Sequence, residues 1–219
     1  MEVKPQEAKP QMEVKPQIRE WWNTAEHDYD AIAAHGVHSE EERELWTEVI
    51  TQLLGTDRKL KVLDMGTGTG FLALLLAEMG YDVTGADWAR SKLERAQEKM
   101  EKTGNFVNFV VEDAENLSFE AEQFDAVVSR HLIWTLANPD SAFKEWARVT
   151  KPGGKVLTDI PVKRSHPGNH HFGEEIGKEL PFYNGADPGE VISMFEAAGL
   201  VNVSVRMFNK MMLVEGKKL

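Results

Sequence analysis

Two carboxylates and three glycines are the residues in this sequence whose type and spacing point to chemistry. Asp64 stands two residues before Gly66, and Gly66, Gly68 and Gly70 alternate with Thr67 and Thr69. Glycine tolerates positive φ and lets a ligand approach the main chain, and a helix starting just beyond such a loop offers unpaired N–H groups. Asp87 follows about 20 residues after the first glycine, where a carboxylate binds ribose hydroxyls in nucleotide-binding folds. Loop and acid together predict a site for a nucleotide-like ligand. The spacing G-x-G-x-G departs from the dinucleotide pattern G-x-G-x-x-G. Asp64 would repel a pyrophosphate but suits a cation, so a nicotinamide-dependent oxidoreductase is disfavoured.

The elements that must hold these groups follow from the apolar pattern. Lys61–Asp64 reads as a strand, and the apolar run from Leu72 to Met79 as the helix after the loop. Tyr81–Asp87 is a second strand, Arg90–Lys102 a helix ending at Gly104, and Phe106–Val111 and Phe124–Ser129 are strands three and four. Asn138 caps a helix that has Pro139 in its first position and runs to Val149. Lys151-Pro152-Gly153-Gly154 suits a type II turn, with Lys155–Ile160 as strand five. Asp187-Pro188 starts a helix that stops at Gly199. Val201–Phe208 and Met211–Glu215 pair as a terminal hairpin around Asn209-Lys210. Strands alternating with helices imply a doubly wound, mostly parallel α/β sheet, and the hairpin adds one antiparallel strand.

Composition narrows the function classes. A chain of 219 residues with 42% hydrophobic content can bury one sizeable core, and with no cysteine it has no disulfide, thiolate metal site or cysteine nucleophile. A formal charge of −11 argues against broad binding to phosphate backbones, so no nucleic-acid partner is expected. No apolar run reaches the roughly 18–20 residues that span a bilayer, and no secretory signal is visible. A cytoplasmic protein, monomeric or homodimeric, with no membrane partner is expected.

Residues 1–17 repeat Lys-Pro-Gln three times and read as an extended or disordered arm without apolar anchors. Its removal is expected to leave ligand binding nearly intact. Residues 18–59 read as two or three helices. One opens with a capping box at Ser39 and Glu42 and ends at Gly55, with Trp46 on its apolar face. Trp22 and Tyr29, in the preceding helices, could close over a ligand, which makes these helices a lid.

Five segments in order resemble the class I S-adenosylmethionine-dependent methyltransferases from about residue 60 to the C-terminus. They are V-L-D-M-G-T-G-T-G-F (62–71), G-A-D (85–87), E-D-A-E-N-L-S-F (112–119), F-D-A-V-V-S-R (124–130) and K-P-G-G (151–154). The resemblance implies a seven-stranded sheet of order 3-2-1-4-5-7-6 with strand 7 antiparallel. It implies S-adenosyl-L-methionine as cofactor and S-adenosyl-L-homocysteine as product. Asp64 and the Gly66-Thr67-Gly68 main chain would hold the amino-acid end of the cofactor. Asp87 would take both ribose hydroxyls, and Trp88 would lie on the adenine face. Asp113 would accept from the adenine amino group, and Ala114 N–H would donate to the ring. Ser129 and Arg130 would lie near the methionine moiety, and Tyr29 would add a contact from the lid.

A sulfonium methyl is already activated, so in-line displacement needs a placed nucleophile and excluded water. A base is needed only if the nucleophile must lose a proton, and His131 is best placed for that. Trp134 would wall the acceptor pocket. The segment at about 161–186 is too long for a plain connection and lies by the carboxyl ends of the strands, so it reads as a substrate cap. It carries His166, His170, His171, Phe172 and Tyr183, and His170 and Tyr183, with Trp22 and Trp134, are the expected acceptor contacts. The histidines lack an acidic or cysteine partner among them, and no metal is assigned. The expected function is methyl transfer to a small-molecule acceptor. A non-catalytic cofactor-binding regulator, or a methyltransferase acting on protein or tRNA, remains the alternative. Ser129-Arg130-His131-Leu132 in place of Asn/Asp-Pro-Pro-Tyr disfavours methylation of DNA amino groups or protein glutamine, and the lack of cysteines disfavours arsenic methylation.

Overall fold

The computed structural model describes residues 14–24, 39–162, 172–208 and 211–219, and of Glu42 only the main chain. Tyr29, His166, His170, His171 and the Asn209-Lys210 turn therefore lie outside the described residues, as does the Glu42 half of the expected capping box.

Seven strands form one sheet in the order β3-β2-β1-β4-β5-β7-β6. They are β1 (Lys61–Met65), β2 (Asp82–Asp87), β3 (Asn108–Val111), β4 (Phe124–Ser129), β5 (Thr150–Ile160), β6 (Leu200–Phe208) and β7 (Met211–Lys218). The first five pair in parallel, and β7 runs antiparallel to both β5 and β6. The expected order and the expected reversed strand are both present.

The middle strands are apolar on both faces because both faces are covered. Leu63, Val127 and Val156 pack with Phe143, Trp146 and Phe195 of α5 (Pro139–Val149) and α7 (Pro188–Ala197). Their chain neighbours Val62, Ala126, Val128 and Leu157 pack on the other face, against Val49, Ile50 and Leu53 of α2 (Glu40–Leu54) and Leu72, Ala73 and Leu76 of α3 (Phe71–Glu78). Trp146 is fully buried and still satisfies its ring N–H on Ala114 O at 3.1 Å. Helix α4 (Arg90–Thr103) ends at Gly104 as expected.

Two stretches differ from the sequence reading. β5 starts at Thr150, so it takes in the expected turn. Gly153 there has φ +82, the value a type II turn needs after proline. The turn survives as a bulge, with the register against β4 passing from Phe124↔Thr150 to Ala126↔Lys155.

The arm also ends earlier than residue 17. Helix α1 runs from Val14 to Thr24, with Pro16 in the first turn, where its missing N–H costs nothing. Val14, Ile18, Trp21 and Trp22 form one apolar stripe that packs on Trp88, Trp134, Phe172, Leu180 and Tyr183. The arm thus does carry an apolar anchor. Of the N-terminal helices, α1 meets the loops at the carboxyl ends of the strands, while α2 covers the sheet. Short α6 (Gly173–Lys178) lies in the segment after β5.

Candidate active site

The carboxyl ends of β1, β2 and β4 open into a cavity of about 1060 Å³, solvent at its mouth included. The loop after β1 forms its floor. Gly66 and Thr67 donate their N–H groups to Ala86 O at 2.8 and 3.0 Å, which ties the loop to β2. Gly66 has φ +72, a conformation that favours glycine, and a β-carbon there would press on the Leu132 side chain at 2.9 Å.

Two acids flank this loop. Asp64 is 1% exposed and accepts from Thr67 Oγ1 at 2.6 Å. Burial pushes its carboxyl up to about 7, against the Thr67 and Ala73 hydrogen bonds, with the Asp87 charge adding to the rise and Arg130 opposing it. Asp87 accepts from Gly68 N–H at 2.9 Å and Ala89 N–H at 2.8 Å, one on each oxygen. Burial raises its pKa as well, opposed by those N–H groups and by Lys92. Each carboxylate oxygen has two lone pairs, so Asp87 keeps accepting capacity after bracing the loop.

The third wall comes from the turn after β3. Glu112, Asp113, Ala114 and Glu115 all line the cavity. Lys15 of α1 reaches Asp113 at 2.6 Å and Glu115 at 2.8 Å. Burial works against its charge, but the two carboxylates hold its pKa above the usual value. Glu115 also accepts from Ala137 N–H at 2.8 Å and Asn138 N–H at 2.9 Å, which fixes the approach to α5.

Aromatic rings complete the enclosure. Trp22, Trp88 and Trp134 line the cavity. Trp22 and Trp134 meet edge-on with centroids 6.1 Å apart, and Phe172 stacks on Trp134 at 5.6 Å. Trp21 meets Phe172 at 5.0 Å, so α1 and the segment after β5 close on each other. Beyond β4, the Arg130 guanidinium lies 4.5 Å from the Phe71 ring and 4.9 Å from Trp46, within cation–π range. His131 follows it in the wall, with its Nδ1 2.9 Å from the Asp159 carboxylate.

A family model described as "Methyltransferase domain" matches residues 63–158, the run from β1 to β5. It belongs with the order of strands just described. The domain match and the strand order together support a class I S-adenosylmethionine-dependent methyltransferase. Demethylmenaquinone methyltransferase of Staphylococcus aureus is 29% identical over 217 aligned residues, covering 89% of each protein. Phosphoethanolamine N-methyltransferase 2 of Haemonchus contortus, solved with phosphomonomethylethanolamine and S-adenosylhomocysteine, has the same fold. Its TM-score is 0.73 at 18% identity, over 92% of this chain and 60% of that longer one. The PH0226 protein of Pyrococcus horikoshii OT3 gives 0.67 at 22% identity, over 87% and 98%.

The cavity of this methyltransferase suits its cofactor. Buried Asp64 suits a ligand that brings an ammonium, half-buried Asp87 keeps lone pairs for hydroxyls, and the glycine loop leaves main chain at the surface. Of the residues expected from the sequence, Asp64, Gly66, Thr67, Gly68, Asp87, Trp88, Asp113, Ala114, Arg130, His131, Trp22 and Trp134 all line this one cavity. Ser129 does not. It is buried in the wall of a smaller apolar pocket under α2, and its Oγ has no hydrogen-bond partner among the described residues. Tyr183 also stands outside the cavity lining. Its ring lies against Gly177 and its hydroxyl accepts from Phe172 N–H at 3.3 Å, so it supports the wall from behind.

Lys92 and Glu115, which line the cavity, and Lys15 and Asp159, which pair with lining residues, escaped the sequence reading. Lys92, buried in the first turn of α4, lines the cavity close to Asp87. Lys15 was hidden inside the Lys-Pro-Gln repeat, and Glu115 in a run read only as a motif. Asp159 had a readable signal, since it is the one acid in the otherwise uncharged stretch Val156–Ile160. Among the described residues no cluster of metal-binding side chains occurs, and no helix is long and apolar enough to cross a membrane.

Proposed function

We propose that this methyltransferase passes a methyl group to a small-molecule acceptor held between the glycine loop and the roof made by α1 and the segment after β5. When bound, the cofactor supplies a sulfonium methyl open to in-line displacement. Asp64 and the Gly66–Gly68 main chain hold its amino-acid end, with Arg130 close by for the carboxylate. Asp87 takes the ribose hydroxyls with the lone pairs left after Gly68 and Ala89. Trp88 lies on the adenine, and Asp113 and Ala114 read its edge.

The observation that carries the reading is the aromatic roof. Trp22, Trp134 and Phe172 close one side of the cavity by packing on each other, which excludes water and limits the acceptor's size. Aromatic walls favour a flat or apolar acceptor, or a cationic amine over a ring face. The names of the two relatives support a small acceptor, since one describes a quinone methyltransferase and the other an amine methyltransferase. A formal charge of −11 counts against tRNA. The test is incubation with methyl-labelled cofactor and a metabolite extract of the native host. A labelled small molecule is the expected result. Label found only in protein or RNA would overturn the reading.

A further inference from the structure

Asp159 is a buried acid that cofactor binding leaves unused. It is 4% exposed, next to last in β5, in a stretch otherwise made of Val156, Leu157, Thr158 and Ile160. One of its oxygens accepts the His131 main-chain N–H at 2.7 Å, and the other lies 2.9 Å from His131 Nδ1. His131 itself has φ +56, a conformation that costs a residue with a β-carbon. Main chain and ring of a single residue are thus clamped by the two oxygens of a single carboxylate, and the clamped ring forms part of the cavity wall.

We propose that His131 is the proton acceptor of the transfer and Asp159 its positioning residue, and that the acceptor is therefore a compound that loses a proton from the atom that is methylated. This rests on the methyl-transfer reading above. An ionised carboxylate beside Nδ1 keeps the proton on that nitrogen, which makes Nε2 the basic one. The acceptor's nucleophilic atom forms the new bond to the methyl carbon as the carbon–sulfur bond breaks, and the electron pair of that bond stays on sulfur. The proton leaving the acceptor goes to Nε2. The resulting imidazolium is stabilised by Asp159. A thiolate or a tertiary amine has no proton to lose and would gain nothing from this pair.

Asp159→Asn tests the arrangement. The His131 main-chain N–H needs the amide oxygen, so the amide NH₂ is turned towards Nδ1. The ring must then accept at Nδ1 and carry its proton on Nε2. Nitrogen-15 NMR of the ligand-free protein reads this directly, with an Nδ1-protonated ring expected in the wild type and an Nε2-protonated ring in the variant. Methyl transfer to the labelled product of the extract should fall by about 10²–10⁴-fold, with cofactor affinity by calorimetry unchanged. His131→Gly, which suits the positive φ, should lose transfer similarly and recover part of it with added imidazole. The labelled methyl should sit on an atom that carried hydrogen in the acceptor. Label on an atom that carried no hydrogen, an unchanged tautomer, or transfer at the wild-type rate in Asp159→Asn would overturn the proposal alone. An extract that yields no labelled small molecule with the wild type removes the methyl-transfer reading and the proposal together.

Discussion

Cofactor binding should release a proton from Asp64. The side chain is 1% exposed, and burial lifts its carboxyl to about 7. The rise of about three units over an ordinary aspartate corresponds to about 4 kcal/mol favouring the protonated form. The ligand-free fold holds this proton where the unfolded chain has lost it. Its stability therefore falls as pH rises through the window from about 4 to about 7. A bound ammonium reverses the balance by favouring the carboxylate. Affinity should then rise with pH until Asp64 is already ionised in the free protein. With a pKa near 7, the ionised fraction grows about tenfold between about pH 6 and about pH 8, worth about 1.4 kcal/mol of binding. The cofactor's own amino group also titrates in this range, so the reference is Asp64→Asn, which keeps an oxygen for the Thr67 hydroxyl. Calorimetry in two buffers of different ionisation heat should find about one proton released near pH 6 in the wild type, beyond any released by the variant. Equal proton release in the two proteins, or the same pH dependence of affinity, would refute the argument.

Asp87→Ala should weaken cofactor binding by about 2–4 kcal/mol, because charged hydrogen bonds to the ligand are lost and the Gly68 and Ala89 braces go with them; titration calorimetry would show it, and an unchanged Kd would sink the assignment. Lys15→Met should cost about 1 kcal/mol of stability in a denaturant melt, and should make α1 easier to cut by protease; resistance equal to the wild type would mean that the two ion pairs do not hold the helix. Tyr183→Phe should lose about 1 kcal/mol of stability with the hydrogen bond from Phe172 N–H, and steady-state kinetics should show transfer nearly unchanged, since the ring lies behind the cavity wall.

The parts of the fold that were legible in the sequence are those whose signals are local. β4 and α5 have the limits expected of them because a strand buried on both faces is a short apolar run, and because Asn138-Pro139 starts a helix without outside help. Asn138 does accept from Ser141 N–H at 3.1 Å. The order of the strands came from family resemblance rather than from any local pattern. The first turn of α1 was missed because repeat composition hid its pattern. Val14, Ile18, Trp21 and Trp22 have helical spacing, but three prolines in the first sixteen residues pointed the other way. Only the packing of that stripe on Phe172 and Trp134 tips the balance.

The same division runs through the site. The residues proposed to meet the adenosine and the amino acid stand at strand ends and in one tight loop, so their spacing along the chain is short and readable. His131 and Asp159 are 28 residues apart, on β4's end and β5, and become neighbours only because those strands pair in parallel with Ser129 beside Thr158. Lys15 and Asp113 are 98 residues apart and meet only across the roof. Contacts of this kind leave no period and no motif behind. In the proposed reading, the His131–Asp159 pair and the aromatic roof belong to the acceptor's half of the cavity. The cofactor half follows from the loop and the strand ends, which many proteins of this fold can share. What the enzyme methylates depends on pairs that tertiary packing creates, and so the acceptor must be sought from the roof and the His131–Asp159 pair rather than from the glycine loop.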